Sequence, residues 1–289
     1  MSAPLPEELA GVFQELAKCI VGLGPYQEDA VLCGGIVPVL YRQTLPQAAT
    51  RLRPLTTFDL DWILPKPLTD RGESLHERLL SSGFVARQSG SHKLPVTQYV
   101  PDHGQAAASS PIYVEFLTPR HGSKRNRQGT NQGVVEVQAG LHAQTDPYLG
   151  LLLAEKITVR ASAISELSLS AEHRLSLPHP ACFILQKLLI RKRRGTGKQD
   201  SDACHIYDVA ILTRALWPQM SDVLKQLKAG PRFPRNWFAV GERVLRDLFS
   251  ESTSNGCLAV ARHYSGAVSE DEVCAGMSAF LAECWLKAR

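Results

Sequence analysis

The chain has 289 residues, 44% of them apolar and 21% charged, and its 32 Lys and Arg against 28 Asp and Glu leave a net charge of +4. That composition excludes a disordered or low-complexity chain and gives enough length for one large domain or two modest ones with separate cores. No apolar run approaches the roughly 20 residues needed to cross a bilayer. The nearest are Leu149–Ala154 and Ala181–Ile190, and Met1–Glu8 carries prolines and acids where a secretory leader has cations and an apolar stretch, so a cytoplasmic, membrane-free protein is expected. The seven cysteines are scattered with no C-x-x-C pair, which points to reduced, mostly buried thiols rather than a disulfide framework or zinc knuckle.

In chain order, Pro6–Leu23 carries Leu9, Val12, Phe13, Leu16, Ile20 and Leu23 at helical spacing. Ala30–Cys33 is a short apolar strand stopped by Gly34-Gly35, and Ile36–Leu45 is a helix with Pro38 in its tolerant first turn. A strand over Thr57–Leu64 and a helix over Glu73–Ser82, closed by Gly83, follow. Phe84–Arg87, Val96–Val100, Ile112–Leu117 and Val134–Gln138 read as strands joined by the polar connections Gly104–Ser110 and Gly122–Gly133. Ile157–Val159 and Glu166–Leu169 read as further strand pieces. After Pro178-His179-Pro180 the pattern turns helical, over Cys182–Arg194, Asp202–Trp217, Met220–Ala229, Trp237–Ser250 and Glu270–Lys287. The expected class is α+β, with a mixed-sheet domain over 1–175 and an all-helical domain over 176–289.

Chemistry concentrates in Thr57-Phe58-Asp59-Leu60-Asp61-Trp62. Strand alternation puts Asp59 and Asp61 on one face and Phe58, Leu60 and Trp62 on the other. Two carboxylates that close repel unless a cation or a proton lies between them, and hard oxygens suit Mg²⁺ or Mn²⁺. The strand–Gly34-Gly35–helix turn upstream exposes backbone N–H groups that can cradle a phosphate. Downstream, Glu115 interrupts the apolar strand Ile112–Leu117, where burial without a cation or partner is costly; the alternative is an edge position facing water.

A Gly-rich strand–helix turn, a strand with D-x-D and a third carboxylate on a later strand resemble the DNA polymerase β-like nucleotidyltransferase superfamily. Within it, Leu32-Cys33-Gly34-Gly35, Thr57–Asp61 and Lys187…Lys198…Asp202 resemble the bacterial nucleotidyltransferase-fold group near the AbiEii-type toxin nucleotidyltransferases. The resemblance implies that Asp59, Asp61 and Glu115 are catalytic metal ligands for Mg²⁺ (or Mn²⁺). It also implies that Gly34, Gly35, Thr57, Lys187, Lys198 and Asp202 handle an NTP. Gly-Gly stands where the superfamily more often has Gly-Ser, and Glu115 where it more often has Asp. The resemblance leaves the acceptor open among RNA (a tRNA end), protein and a small molecule, and a cognate antitoxin goes with its toxin version.

Lys187, Arg191 and Arg194 recur at i, i+4 and i+7 and would share one helical face; Lys198 and Asp202 are spaced for an exposed pair. That basic helix reads either as a solvated face or as a phosphate-binding one, and with Arg120–Arg127 it makes two local basic patches. His205, one turn from Asp202, reads as a surface histidine beside an acid, and Trp217, Trp237 and Trp285 as core. The leading expectation is a metal-dependent nucleotidyltransferase. The alternative is a non-catalytic protein of the same fold that holds nucleic acid or a protein partner through the basic helix.

Overall fold

The computed structural model describes residues 8–45, 52–55, 57–90, 95–102, 112–120 and 133–288. The connections Gly104–Ser110 and most of Gly122–Gly133, and with them the basic patch after Arg120, lie outside those residues. The protein is α+β, a mixed sheet with helices followed by a helical C-terminal region. It divides into two compact units, Pro6–Val37 with Thr56–Pro178, and Pro38–Leu55 with His179–Arg289. The segment Pro38–Leu55 therefore belongs with the helical unit, where a single cut at 175/176 would have left it in the α/β half. Among the described residues no helix is long and apolar enough to cross a membrane.

The α/β unit is built from α1 (Leu9–Leu23), β1 (Val31–Cys33), β2 (Asp59–Ile63), α3 (Leu75–Ser81), β3 (Phe84–Ser89), β4 (Val96–Pro101), β5 (Tyr113–Pro119), β6 (Val134–Gln138), β7 (Leu141–Asp146), α4 (Leu149–Leu152), β8 (Lys156–Arg160) and β9 (Arg174–Pro178). Its main sheet runs β1-β2-β5-β4-β3, and β7 joins β5 beyond the end of the β4 pairing, carrying β6 with it. The β2–β5 and β5–β7 pairs are parallel and the rest antiparallel. β8 and β9 form a separate antiparallel pair. Glu166–Leu169 is not a strand: Ser165–Leu167 is a 3₁₀ turn, and Ser168 takes a left-handed conformation that no ladder accommodates. β7 and β9 escape the sequence reading because their polar residues interrupt the apolar runs.

One face of the main sheet is apolar. Leu60, Trp62, Tyr99, Val114 and Phe116 are buried on it, and Cys19 of α1 sits beside Trp62 and Tyr99. Burial pushes the Cys19 thiol far up, so it is a packing residue rather than a nucleophile. α3 starts in a capping box, Ser74 and Glu77 each satisfying the other's backbone N–H, and packs on α1 where Gly22 leaves room for Ser82 and Leu79.

In the helical unit, α2 (Val37–Thr44) contributes all but its first residue, followed by α5 (Pro180–Ile190), α6 (Thr196–Leu212), α7 (Trp217–Ala229), α8 (Asn236–Phe249), α9 (Asn255–His263) and α10 (Glu270–Phe280). α5 is central: every residue from Pro180 to Leu189 is buried, and α6, α7 and α8 pack on it. Gly241 lets α8 approach Leu185 and Trp285, where a Cβ would come within 3.0 Å of both. Trp217 and Trp285 are core residues, and Trp237 is half-buried with its ring stacked on Phe233. Six cysteines are buried, Cys274 is partly so, and all seven are free thiols.

His179 caps α5, its Nδ1 accepting from the Ala181 N–H at 3.3 Å, and burial lowers its pKa to about 4. A protonated ring cannot accept that bond. The unfolded chain takes up the proton near pH 6.5 while the folded one resists to about 4, so stability falls as pH drops through this window. Urea unfolding at pH 7 and pH 4.5 is expected to show the wild type losing about 2 kcal/mol more than His179→Asn, which keeps the capping oxygen and loses the titration.

Candidate functional site

Three strands set the polar face opposite the core. β2 pairs with β5 so that Asp59 lies across from Tyr113 and Asp61 across from Glu115. β4 places Gln98 across from Glu115 on its other side. Residues directly opposite share a face, so Asp59, Asp61, Tyr113, Glu115 and Gln98 project together, and all five are half-buried. Glu115 is not on an edge, since β5 has strands on both sides.

The Gln98 side-chain amide donates to Glu115, and Tyr113 lies beside Asp59 in the ladder. Burial raises the Tyr113 pKa well above its ordinary value. The neighbouring Asp59 adds to this, and Glu115 and Asp61 add further through charge. One phenol thus senses three carboxylates. Among the described residues no group of three His, Cys, Asp or Glu side chains is arranged to hold a metal ion.

β1 ends beside this face, Cys33 pairing with Asp61, and the chain enters a 3₁₀ turn at Gly34–Ile36 before α2. Gly34 has φ +79°, and a Cβ there would stand 2.5 Å from Asp61 Oδ2. Only glycine allows the turn's backbone so close to that carboxylate. Gly35 is half-buried in the same turn, and Thr57 is half-buried two residues before Asp59.

Lys187, Lys198 and Asp202 belong to the helical unit. Lys187 is 4% exposed, and its Nζ lies 2.8 Å from Asp202 Oδ1, an oxygen that Arg194 also approaches at 3.3 Å. The exposed Lys198–Asp202 pair does not form, because Asp202 turns inward toward α5 while Lys198 is exposed. Nor do the three cations make one solvated face. α5 ends at Ile190, a 3₁₀ turn over Arg191–Arg193 breaks the periodicity, and Arg191 donates to the Gln199 carbonyl. His205 is not a surface residue but is buried within reach of the Lys187 and Arg194 charges, with neither ring nitrogen hydrogen-bonded. Burial, then those cations, hold it neutral far below its ordinary pKa. A second buried pair joins Arg42 of α2 to Asp208 of α6, and Arg42 also holds the Leu52 carbonyl at 2.6 Å.

Sequence reading did not single out Tyr113 or Gln98. Tyr113 was legible as a face-mate of Glu115 at i−2; Gln98 was not, because only the β4–β5 register brings it there.

The α+β fold thus sets acidic side chains of adjacent strands beside a glycine turn. The chain belongs to the Nucleotidyltransferase family, whose model matches residues 13–227 and so takes in the glycine turn, all three acids and the Lys187–Asp202 pair. No curated protein matches the chain.

Gly34→Ala should cost about 1–3 kcal/mol in urea unfolding, combining the left-handed backbone with displacement of Asp61. Lys187→Met should cost about 3–5 kcal/mol because it strips a buried carboxylate of its closest cation, whereas Lys187→Met/Asp202→Leu should recover part of that loss.

Proposed function

We propose that this chain is a metal-dependent nucleotidyltransferase that moves a nucleotide from an NTP to an acceptor hydroxyl. The observation that carries the reading is the shared face of Asp59, Asp61 and Glu115, with the Gly34 backbone against Asp61. The chemistry of the donors, hard carboxylate oxygens on two paired strands, is of the kind that suits Mg²⁺ or Mn²⁺, although among the described residues the three acids are not drawn together as a ready-made metal cluster. Bound there, the cation would acidify the acceptor hydroxyl and stabilise charge on the departing pyrophosphate.

In this reading Asp59 and Asp61 hold the cations, and Glu115 completes the set and draws the proton from the acceptor hydroxyl. Gly34 and Gly35 present backbone N–H groups to the triphosphate, and Thr57 lines the approach to Asp59. The likeness of the Leu32–Gly35 turn and the Thr57–Asp61 strand to AbiEii-type toxins leaves the acceptor among RNA, protein and a small molecule, and an antitoxin partner belongs to the toxin version of that reading. The assignment of Lys187, Lys198 and Asp202 to nucleotide handling rests on that likeness alone.

Thermal unfolding with each of the four NTPs, with and without Mg²⁺, tests the donor site. At 100 times its dissociation constant, one nucleotide should stabilise the wild type by about 2.7 kcal/mol in the presence of Mg²⁺. The shift should vanish in Asp59→Ala/Asp61→Ala, while the ligand-free midpoint is retained. A chain that responds to no nucleotide would overturn the reading.

A further inference from the structure

We infer that the groove between α7, α8 and the Leu286–Ala288 turn of the helical unit is a docking site for an acidic segment of a partner protein, seated by apolar anchors. None of its residues belongs to the Asp59–Asp61–Glu115 face, so the inference stands whether or not that face transfers nucleotides.

Two hollows of about 260 and about 310 Å³ adjoin there and share Lys228, Arg235 and Ala288. Leu224, Phe238 and Trp285 line the first, with Ala239 exposed on its wall, and the second adds Lys225 and the exposed Ala229. From Val223 to Gly241 the chain carries Lys225, Lys228, Arg232 and Arg235 and no acid. Lys225 has an exposed partner in Asp222 at 3.5 Å, whereas among the described residues the Lys228 and Arg235 charges have no ion-pair or hydrogen-bond partner. The acid in the lining, Glu242, is engaged by Arg246 at 3.1 Å. The groove therefore presents apolar surface inside a rim of uncompensated positive charge.

The rim is also held in place. Between α7 and α8 the rings of Phe233 and Trp237 stack with centroids 5.8 Å apart, and the Arg232 guanidinium lies 5.3 Å from the centre of the Phe233 ring. The Trp237 N–H donates to the Pro234 carbonyl at 3.0 Å, which closes the turn that presents Arg235. A partner docking here loses little loop entropy in ordering the surface it meets.

Charge and shape together choose the occupant. Apolar side chains in the hollows supply affinity, and carboxylates beside them meet the rim cations and fix the register. A nucleic-acid backbone would use the cations and leave the apolar hollows empty. A second copy of the chain, docking through the same patch about a two-fold axis, would bring like charges together.

The test is selection of phage-displayed random dodecapeptides on the full-length chain, followed by fluorescence anisotropy with the enriched peptide carrying a fluorescein label. Enriched sequences should place Asp or Glu beside Leu, Phe or Trp, and their binding should weaken with added salt. Lys228→Glu/Arg235→Glu should weaken it by about 10-fold or more. Ala239→Arg, which fills the first hollow while adding a cation, should weaken it too, although an added cation would strengthen binding of a nucleic acid. Both variants should keep the wild-type thermal midpoint, and should one fail to fold, the other decides. No enrichment, enriched sequences without acids, or unchanged affinity in either folded variant overturns the inference. Labelled oligouridylate bound more tightly by Ala239→Arg with no peptide enriched gives the rim to nucleic acid, and a dimer in sedimentation broken by the charge reversal gives it to a second copy; either result overturns the inference.

Discussion

The parallel pairing of β2 with β5 is the constraint on which the candidate site depends. It sets Asp61 against Glu115 and Asp59 against Tyr113, gathering on one face groups that repel each other in the absence of a cation. What holds that arrangement is the opposite face of the same strands. Leu60, Trp62, Val114 and Phe116 are buried there, and a slip of one residue would exchange the apolar set for the acidic one. The hydrophobic effect on one side of the sheet thus decides which acids share the other.

A different economy governs the helical unit. α5 and α6 are buried over most of their length, so the polar residues they carry must find partners inside. Lys187 and Arg194 meet at Asp202, and Arg42 meets Asp208. Compared with apolar residues of the same shape, such pairs add little net stability, but removing one member leaves a charge with no compensation. Their effect is to specify: Arg42 lies in Pro38–Leu55, and its bond to Asp208 ties that segment to α6 across a long sequence separation.

The basic stretch after Phe183 shows how spacing misleads when the helix does not continue. Lys187, Arg191 and Arg194 share a face only on an unbroken helix, and the turn at Arg191–Arg193 sends them to different partners. Lys187 turns inward because α6 returns Asp202 to meet it, an encounter that i, i+4 arithmetic within one helix cannot foresee. His205 goes the same way: its sequence neighbourhood is polar, yet α6 is covered on nearly all sides.

The sequence by itself determined the local grammar: the glycine turn, the alternation that separates Asp59 and Asp61 from Leu60 and Trp62, most helices, and the change of character near Pro178. These follow from periodicity and backbone preference, which act over a few residues. Only the tertiary structure decided which strand lies beside which. That placed Glu115 in the sheet interior next to Asp61, brought Gln98 and Tyr113 to the acids, moved Pro38–Leu55 into the helical unit and buried Lys187 on Asp202. The physical reason is that register and ion-pair choice depend on burial summed over distant segments, a quantity that no local window of sequence contains.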